Sequence, residues 1–363
     1  MSRARVLSIV IGIAVSVAAG VALSAPAVID DVATRLGFSA GTAPLVVKAA
    51  NGGSLSARGC AACHRAVYDD WQSTRHAAAW SNAVFLDGLR REPLPRCVHC
   101  HAPLVQQKLE AGPLGAGRPR APSSSSSSSS ASSSLLHEGV TCVVCHVRDG
   151  EILAAAPVVR NDNTPMHPVR VEPALKDPAF CASCHQFGFT NSDVLMQDTF
   201  GEWRAFAAGG GQGTCQSCHM PGGRHLFRGA WDVELLKKSL RVDVDVDIGA
   251  GAGGVALVLR SVDVGHHFPT GDLFRHLTVE VCDGSCDVDG GWREVFRIGR
   301  VFGGEGLDKR VVEDTSLVPG VARRVVVPAR AAWRVRYHYA EARHEQAGVV
   351  EPVVIAAGRP NRR

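Results

Sequence analysis

Cys60-Ala-Ala-Cys63-His64, Cys97-Val-His-Cys100-His101, Cys142-Val-Val-Cys145-His146, Cys181-Ala-Ser-Cys184-His185 and Cys215-Gln-Ser-Cys218-His219 repeat one pattern, C-x-x-C-H, five times between residues 60 and 219. This is the attachment signature of a c-type haem. The spacing puts two thiols on one side of a helical turn, where they can form thioether bonds to a porphyrin. It also places the next residue, a histidine, to ligate the iron from the proximal face. Zinc sites join two C-x-x-C pairs and need no histidine after each, and five half-sites do not pair evenly. Iron–sulfur runs lack the histidine, and a thioredoxin-type motif would occur once. The pattern therefore implies five covalent haems c and their iron. Cys60, Cys63, Cys97, Cys100, Cys142, Cys145, Cys181, Cys184, Cys215 and Cys218 are the attachment residues. His64, His101, His146, His185 and His219 are the proximal ligands.

Composition agrees with a cofactor-built core. The aromatic content is 6% and the net charge is +4. The near balance of charge gives no reason to propose nucleic acid as a partner. With so few large side chains, five apolar macrocycles would supply much of the burial that must offset chain entropy. The haem region without its cofactors is expected to be unfolded.

The N-terminus carries Arg3 and Arg5, then an apolar run over residues 6–23, then small residues at Ser24, Ala25 and Ala27. It reads as a signal peptide over residues 1–27, or as an inner-membrane anchor, because the run approaches the length that spans a bilayer. Both readings place the body in the periplasm or cell envelope. Residues 28–56 form a tether, and residues 57–232 are the expected pentahaem domain. A polyserine insert at 123–134 has no apolar face and reads as linker that need not split that domain.

Past the first motif, Tyr68-Asp-Asp-Trp71-Gln-Ser73-Thr-Arg-His76-Ala places Tyr68, Trp71, His76 and Trp80 at helical intervals. A haem motif followed by Tyr-x-x-Trp-x-x-Ser-x-x-His-Ala resembles the multihaem cytochromes of the c-554/c-552 type. The resemblance implies that His76 is a distal haem ligand; otherwise it is a surface histidine on an amphipathic helix. Three further stretches are similar to that family. They are His137-Glu-Gly139 before the third motif, Met220-Pro221 with His225 after the fifth, and Gly265-His266-His267-Phe268-Pro269-Thr270-Gly271 further on. His137 is too close to its own motif to face that iron and would reach a neighbouring one. His167, in a proline-rich stretch, is a distal candidate with Met166 as competitor, and a Met/His pair would raise the potential. His225 would reach an iron through a loop that Gly222 and Gly223 permit. His266 is read as a distal ligand, a haem-edge contact or a locally bonded turn residue, with His267 and His276 in reserve. His99, inside the second motif, points away from its own iron.

From residue 233 the texture becomes period-two alternation. Strands are expected at 240–248, 255–261, 277–281, 293–298, 321–327 and 333–339, separated by Gly, Pro and Asp-Gly breaks. The fold class is therefore α+β: a mostly helical or irregular haem-packed domain followed by an antiparallel β-sandwich-like domain over residues 233–363. Cys282 and Cys286 lack a following histidine and are expected to form a local disulfide in an oxidising compartment.

His76, His137, His167, His225 and His266 would supply five distal ligands for five haems. If one fails, one iron keeps an open position, which substrate chemistry needs. Two functions follow. The first is electron transfer through mostly bis-His haems to redox partner proteins, either quinol-linked or other cytochromes. The alternative is an oxidoreductase acting on a small nitrogen or sulfur compound. Electron transfer is favoured, because no conventional catalytic set is present. No attachment motif carries Lys in place of His, as in pentahaem nitrite reductases, and no Tyr near a motif matches the crosslink of hydroxylamine oxidoreductases. A third role for the β-domain is docking of a partner.

Overall fold

The computed structural model describes residues 45–50, 53–113, 134–157, 167–189, 194–246, 254–286, 289–304 and 308–359. The expected signal or anchor, most of the tether, the polyserine tract up to residue 133, and Met166 lie outside the described residues. All fifteen histidines lie within them. Among the described residues, no helix is long and apolar enough to cross a membrane.

The motif region is a string of short helices. They are α1 (Ala57–Ala61), α2 (Arg65–Gln72), α3 (Ala83–Arg91), α4 (Pro95–His101), α5 (Val105–Ala111), α6 (Cys142–His146), α7 (Pro178–His185), α8 (Thr199–Ala208) and α9 (Cys215–His219). Small strands lie between them: β1 (Val147–Arg148), β2 (Glu151–Ala154), β3 (Val169–Val171), β4 (Phe187–Gly188) and β5 (Leu195–Gln197). Local chemistry sets the ends. Asn82 accepts from the Phe85 N–H (2.9 Å) at the start of α3, and Asp177 caps α7 through the Ala179 N–H (2.8 Å) with Pro178 as its first residue. Thr214 caps α9 through Ser217 N–H at 3.1 Å.

The helix expected to run from Tyr68 to Trp80 stops at Gln72. Ser73 and Thr74 bond back to the carbonyls of Asp70 and Trp71 at 2.7 Å each, so the chain leaves the helix in turns. His76 therefore sits on a turn instead of a helix face. Gly139, at φ +56°, lies so close beneath this turn that an added Cβ would stand 2.5 Å from the His76 carbonyl oxygen. Val140 N–H donates to that same oxygen at 2.9 Å.

The C-terminal region begins with α10 (Val233–Lys238), capped by Asp232 through Leu235 N–H at 3.0 Å. Strands β6 (Leu240–Asp245), β7 (Gly254–Ser261), β8 (His276–Cys282), β9 (Arg293–Gly303), β10 (Arg310–Asp314), β11 (Arg323–Pro328), β12 (Ala332–His338) and β13 (Val353–Gly358) follow, with α11 (Ala342–Gln346) before the last. They form two antiparallel sheets, β10-β9-β8-β12-β13 and β11-β7-β6. Inward residues of both, including Leu257, Leu259, Leu277, Val279, Ile298 and Val335, share one core of twenty-one buried side chains. Six of these strands were expected from the sequence, though β7 is a nearly continuous apolar run; β10 and β13 were not expected. Cys282 and Cys286 form a disulfide.

The two regions meet along a polar and aromatic seam. Arg300 of β9 donates to the carbonyls of Leu195 (2.9 Å) and Met196 (2.6 Å). Tyr339 donates to Ala230 O at 3.0 Å and stacks on Trp231 at 4.2 Å, and Arg75 covers that indole at 3.4 Å. Asp87 of α3 accepts from Arg343 and from His344 Nε2 (3.1 Å) on α11.

Candidate functional site

One branched cavity of about 2790 Å³ runs through the motif region and along the seam. All ten motif cysteines and all five motif histidines line it, with His76, His167, His225 and His266. Divided by five, that volume is about 560 Å³ per motif, within the roughly 300–1,000 Å³ of cofactor-sized sites.

Four motif histidines each face one other imidazole. Ring centres are 6.1 Å apart for His64 and His167, 6.2 Å for His185 and His76, 5.9 Å for His146 and His225, and 6.2 Å for His219 and His266. An imidazole nitrogen bonds a metal at about 2.0 Å and lies roughly 1.1 Å from its ring centre. Two rings sharing one ion therefore have centres about 6.2 Å apart. The observed gaps fit an iron between each pair, and they are too wide for the rings to bond each other.

The nitrogens are oriented for this. Carbonyls only accept, so Nδ1 must donate where it meets one, which leaves Nε2 with its lone pair for a metal. His101 Nδ1 meets Ala79 O (2.7 Å), His146 Nδ1 meets Leu153 O (2.9 Å), His266 Nδ1 meets His267 O (2.8 Å), and His219 Nδ1 bonds Arg228 O. Burial acts in the same direction by disfavouring charge. It pushes His76 down to about 3 and His185 and His266 down to about 4, helped by neighbouring histidines. It also lowers His101, His146 and His225. These are neutral imidazoles at neutral pH, as ligation requires.

Loops and aromatic rings set the distal partners. Gly222 (φ +65°) and Gly223 (φ +78°) turn the chain after α9, and Asp70 of α2 accepts from Arg224 Nε and His225 N–H, both at 3.2 Å. Phe227 stands between His76 (4.3 Å) and His225 (5.9 Å) and fills the space beside both. Sequence reasoning missed Asp70 and Phe227. Neither belongs to a motif, and each acquires its role only when distant segments meet.

The second motif differs. His101 stacks on Phe85 at 3.7 Å and 4°, and no other described imidazole is in ring contact with it. The structure does not bring His137 to any motif histidine. It is exposed on a 3₁₀ turn, while its neighbour Glu138 points inward and accepts from Ala57 N–H (2.7 Å) and Thr141 Oγ1 (3.1 Å). That inward anchor turns His137 to solvent. His99 lines the cavity. His276 and His338 stack on each other within the β-domain at 4.3 Å, and His267 stands 3.7 Å from Glu202.

The thiols fix the spatial order of the motifs. Cys60 neighbours Cys142, Cys100 neighbours Cys184 and Cys181 neighbours Cys215, while Cys145 lies near both Cys181 and Cys184. The first, third, fourth and fifth motifs thus form a row, with the second branching from the fourth. Cys63 and Cys218, at the two ends of the row, are the exposed thiols. Among the described residues, no three His, Cys, Asp or Glu side chains converge to hold a bare metal ion.

No known protein family and no curated protein matches this sequence. The fold is similar to that of a penta-heme cytochrome c552 from Thermochromatium tepidum, with a TM-score of 0.61 at 20% identity over 84% of this chain and 97% of that chain. At this identity the likeness concerns the fold.

Proposed function

We propose that this chain is an exported multihaem c-type cytochrome that transfers electrons through five covalently bound haems, most of them held between two histidines. The observation that carries the reading is the set of four imidazole pairs at 5.9–6.2 Å along a single cavity. Its support includes the similarity in fold to a penta-heme cytochrome.

Haem bound here supplies one-electron chemistry, with potentials set by axial ligands, hydrogen bonds and burial. The chain's part is to hold and tune. The ten motif cysteines would attach the haems, and the pairs His64 with His167, His146 with His225, His185 with His76 and His219 with His266 would supply the iron ligands. Backbone carbonyls at Ala79, Leu153, Arg228 and His267 fix four rings and raise their basicity. The fold sets neighbouring attachment sites side by side, and the exposed Cys63 and Cys218 mark the two ends where a redox partner protein can approach. Export, by signal or by retained anchor, is what gives the thiols access to covalent attachment.

Mass measurement of protein matured with the attachment machinery should show five haems. A spectroelectrochemical titration should take up five electrons per chain with mostly low-spin spectra. A bare polypeptide mass with no Soret band refutes the reading.

One observation favours a second reading, an oxidoreductase acting on a small nitrogen or sulfur compound. His101 meets Phe85 and no second imidazole. A ferric high-spin signal from about one haem in five that shifts with nitrite or hydroxylamine supports it; entirely low-spin spectra remove it.

A further inference from the structure

The segment carrying His266 runs between β7 and β8 and has no regular secondary structure of its own around that residue. On the β-domain side it is held by an isolated bridge: Phe268 N–H donates to Leu317 O (3.0 Å), and Leu317 N–H donates back (2.9 Å). A second hold comes from the haem-motif side. Glu202 of α8 is 7% exposed, and its carboxylate accepts from Thr270 Oγ1 (2.6 Å) and from His267 N–H (3.2 Å). Thr199, on the same helix, meets the Thr270 hydroxyl at 2.9 Å. His266 lies one residue from the gripped amide.

Helix α8 is itself tied to the fourth motif. Gln186 follows His185 directly. Its Oε1 accepts from Phe200 N–H (3.1 Å) and Gly201 N–H (3.2 Å), and its Nε2 donates to Asp198 (2.7 Å). At the other end, Trp203 Nε1 donates to Gly213 O (3.1 Å), two residues before Cys215. Close approach completes the brace: a Cβ at Gly265 would come within 3.0 Å of the Phe206 ring.

We infer that Glu202 is a positioning residue that seats His266 opposite His219, so that α8 carries register from the ligand of the fourth motif to the distal ligand of the fifth. The inference rests on the reading that a haem lies between His219 and His266. A buried carboxylate with two donors is a fixed acceptor that a neutral apolar residue cannot replace; without it the His267 amide loses its acceptor and the Thr270 hydroxyl keeps only its contact with Thr199. The segment carrying the imidazole then loses the motif-side hold nearest His266, while Thr270 keeps Thr199 and Phe268 keeps its bridge to Leu317.

The test uses the mature haem-loaded protein and electron paramagnetic resonance with optical spectra. Glu202→Ala should convert up to one fifth of the ferric haem from low to high spin, and added imidazole should restore it. Glu202→Gln, which keeps an acceptor oxygen, should stay low-spin. Should Glu202→Ala not accumulate, Thr270→Val, which removes the hydroxyl that Glu202 grips, carries the same expectation. His266→Ala separates the two levels. If it produces the high-spin signal while Glu202→Ala and Thr270→Val keep wild-type spectra, the positioning role is wrong. If His266→Ala leaves every haem low-spin, the assignment of His266 as a ligand is wrong and the role of Glu202 falls with it.

Discussion

Made without haem, the chain should keep only about its C-terminal third folded. The perturbation is expression without the attachment machinery, with thiols kept reduced during handling. The largest buried core runs from Leu236 to Ile355 and holds twenty-one residues, whereas the three clusters elsewhere hold six, six and five. Residues of those small clusters line the cavity of about 2790 Å³, so cofactor filling it would supply burial that the clusters lack. At about 0.7 kcal/mol per residue near 60 °C, residues 233–359 should absorb about 90 kcal/mol on melting, with a heat-capacity step of about 1.5–1.9 kcal/mol/K. If residues 57–232 were folded as well, the enthalpy would be more than twice as large. Differential scanning calorimetry reads this directly, and limited proteolysis should leave a fragment starting near residue 230. An enthalpy near 200 kcal/mol, or amide protection across the motif helices without haem, would refute the claim that cofactors form the core of residues 57–232.

Other outcomes follow from single contacts. His76→Ala should render about one haem in five high-spin, reversibly by imidazole, because His76 alone faces His185 at 6.2 Å; His137→Ala should change no haem spectrum, since that residue is exposed. Asp87→Asn should weaken the seam by about 1 kcal/mol in thermal melts, discounted for partial exposure. The hydrogen bond from Arg343 holds the Asp87 carboxyl below the usual carboxylate range. Its folded pKa is thus below its unfolded value, and the contribution is full above about pH 5 and is lost as pH falls below about 4. The wild-type and Asp87→Asn melts should therefore converge in acid; a gap that widens there contradicts the assignment. Replacing Cys282 and Cys286 with serine should cost the β-domain about 2 kcal/mol, since the closed loop is short, and should leave haem content unchanged.

The motif histidines stood out as candidates because attachment chemistry demands adjacent residues, and all five line the cavity. The strands were legible because a sheet with one wet face alternates. β10 escaped because all five of its residues are exposed, and β13 because Val353-Val-Ile-Ala-Ala-Gly358 barely alternates. The turn at His76 was hidden by the helical spacing of Tyr68, Trp71 and Trp80, which side-chain bonds from Ser73 and Thr74 overrule. Distal ligands posed a harder problem. His137 and His167 look alike as candidates, and what separates them is the inward pull of Glu138 on one and the approach of His64 to the other. Such facts belong to contacts across the chain, which spacing does not encode.

The four imidazole pairs bridge 47 to 109 residues of sequence. Each pair waits for its later member: His64 for residue 167, His76 for residue 185, His146 for residue 225 and His219 for residue 266. Attachment would then act on an open, one-sided ligand set. A product ending between residues 219 and 266 would keep all five attachment motifs yet lack the imidazole that faces His219, and with it the tuning of that site.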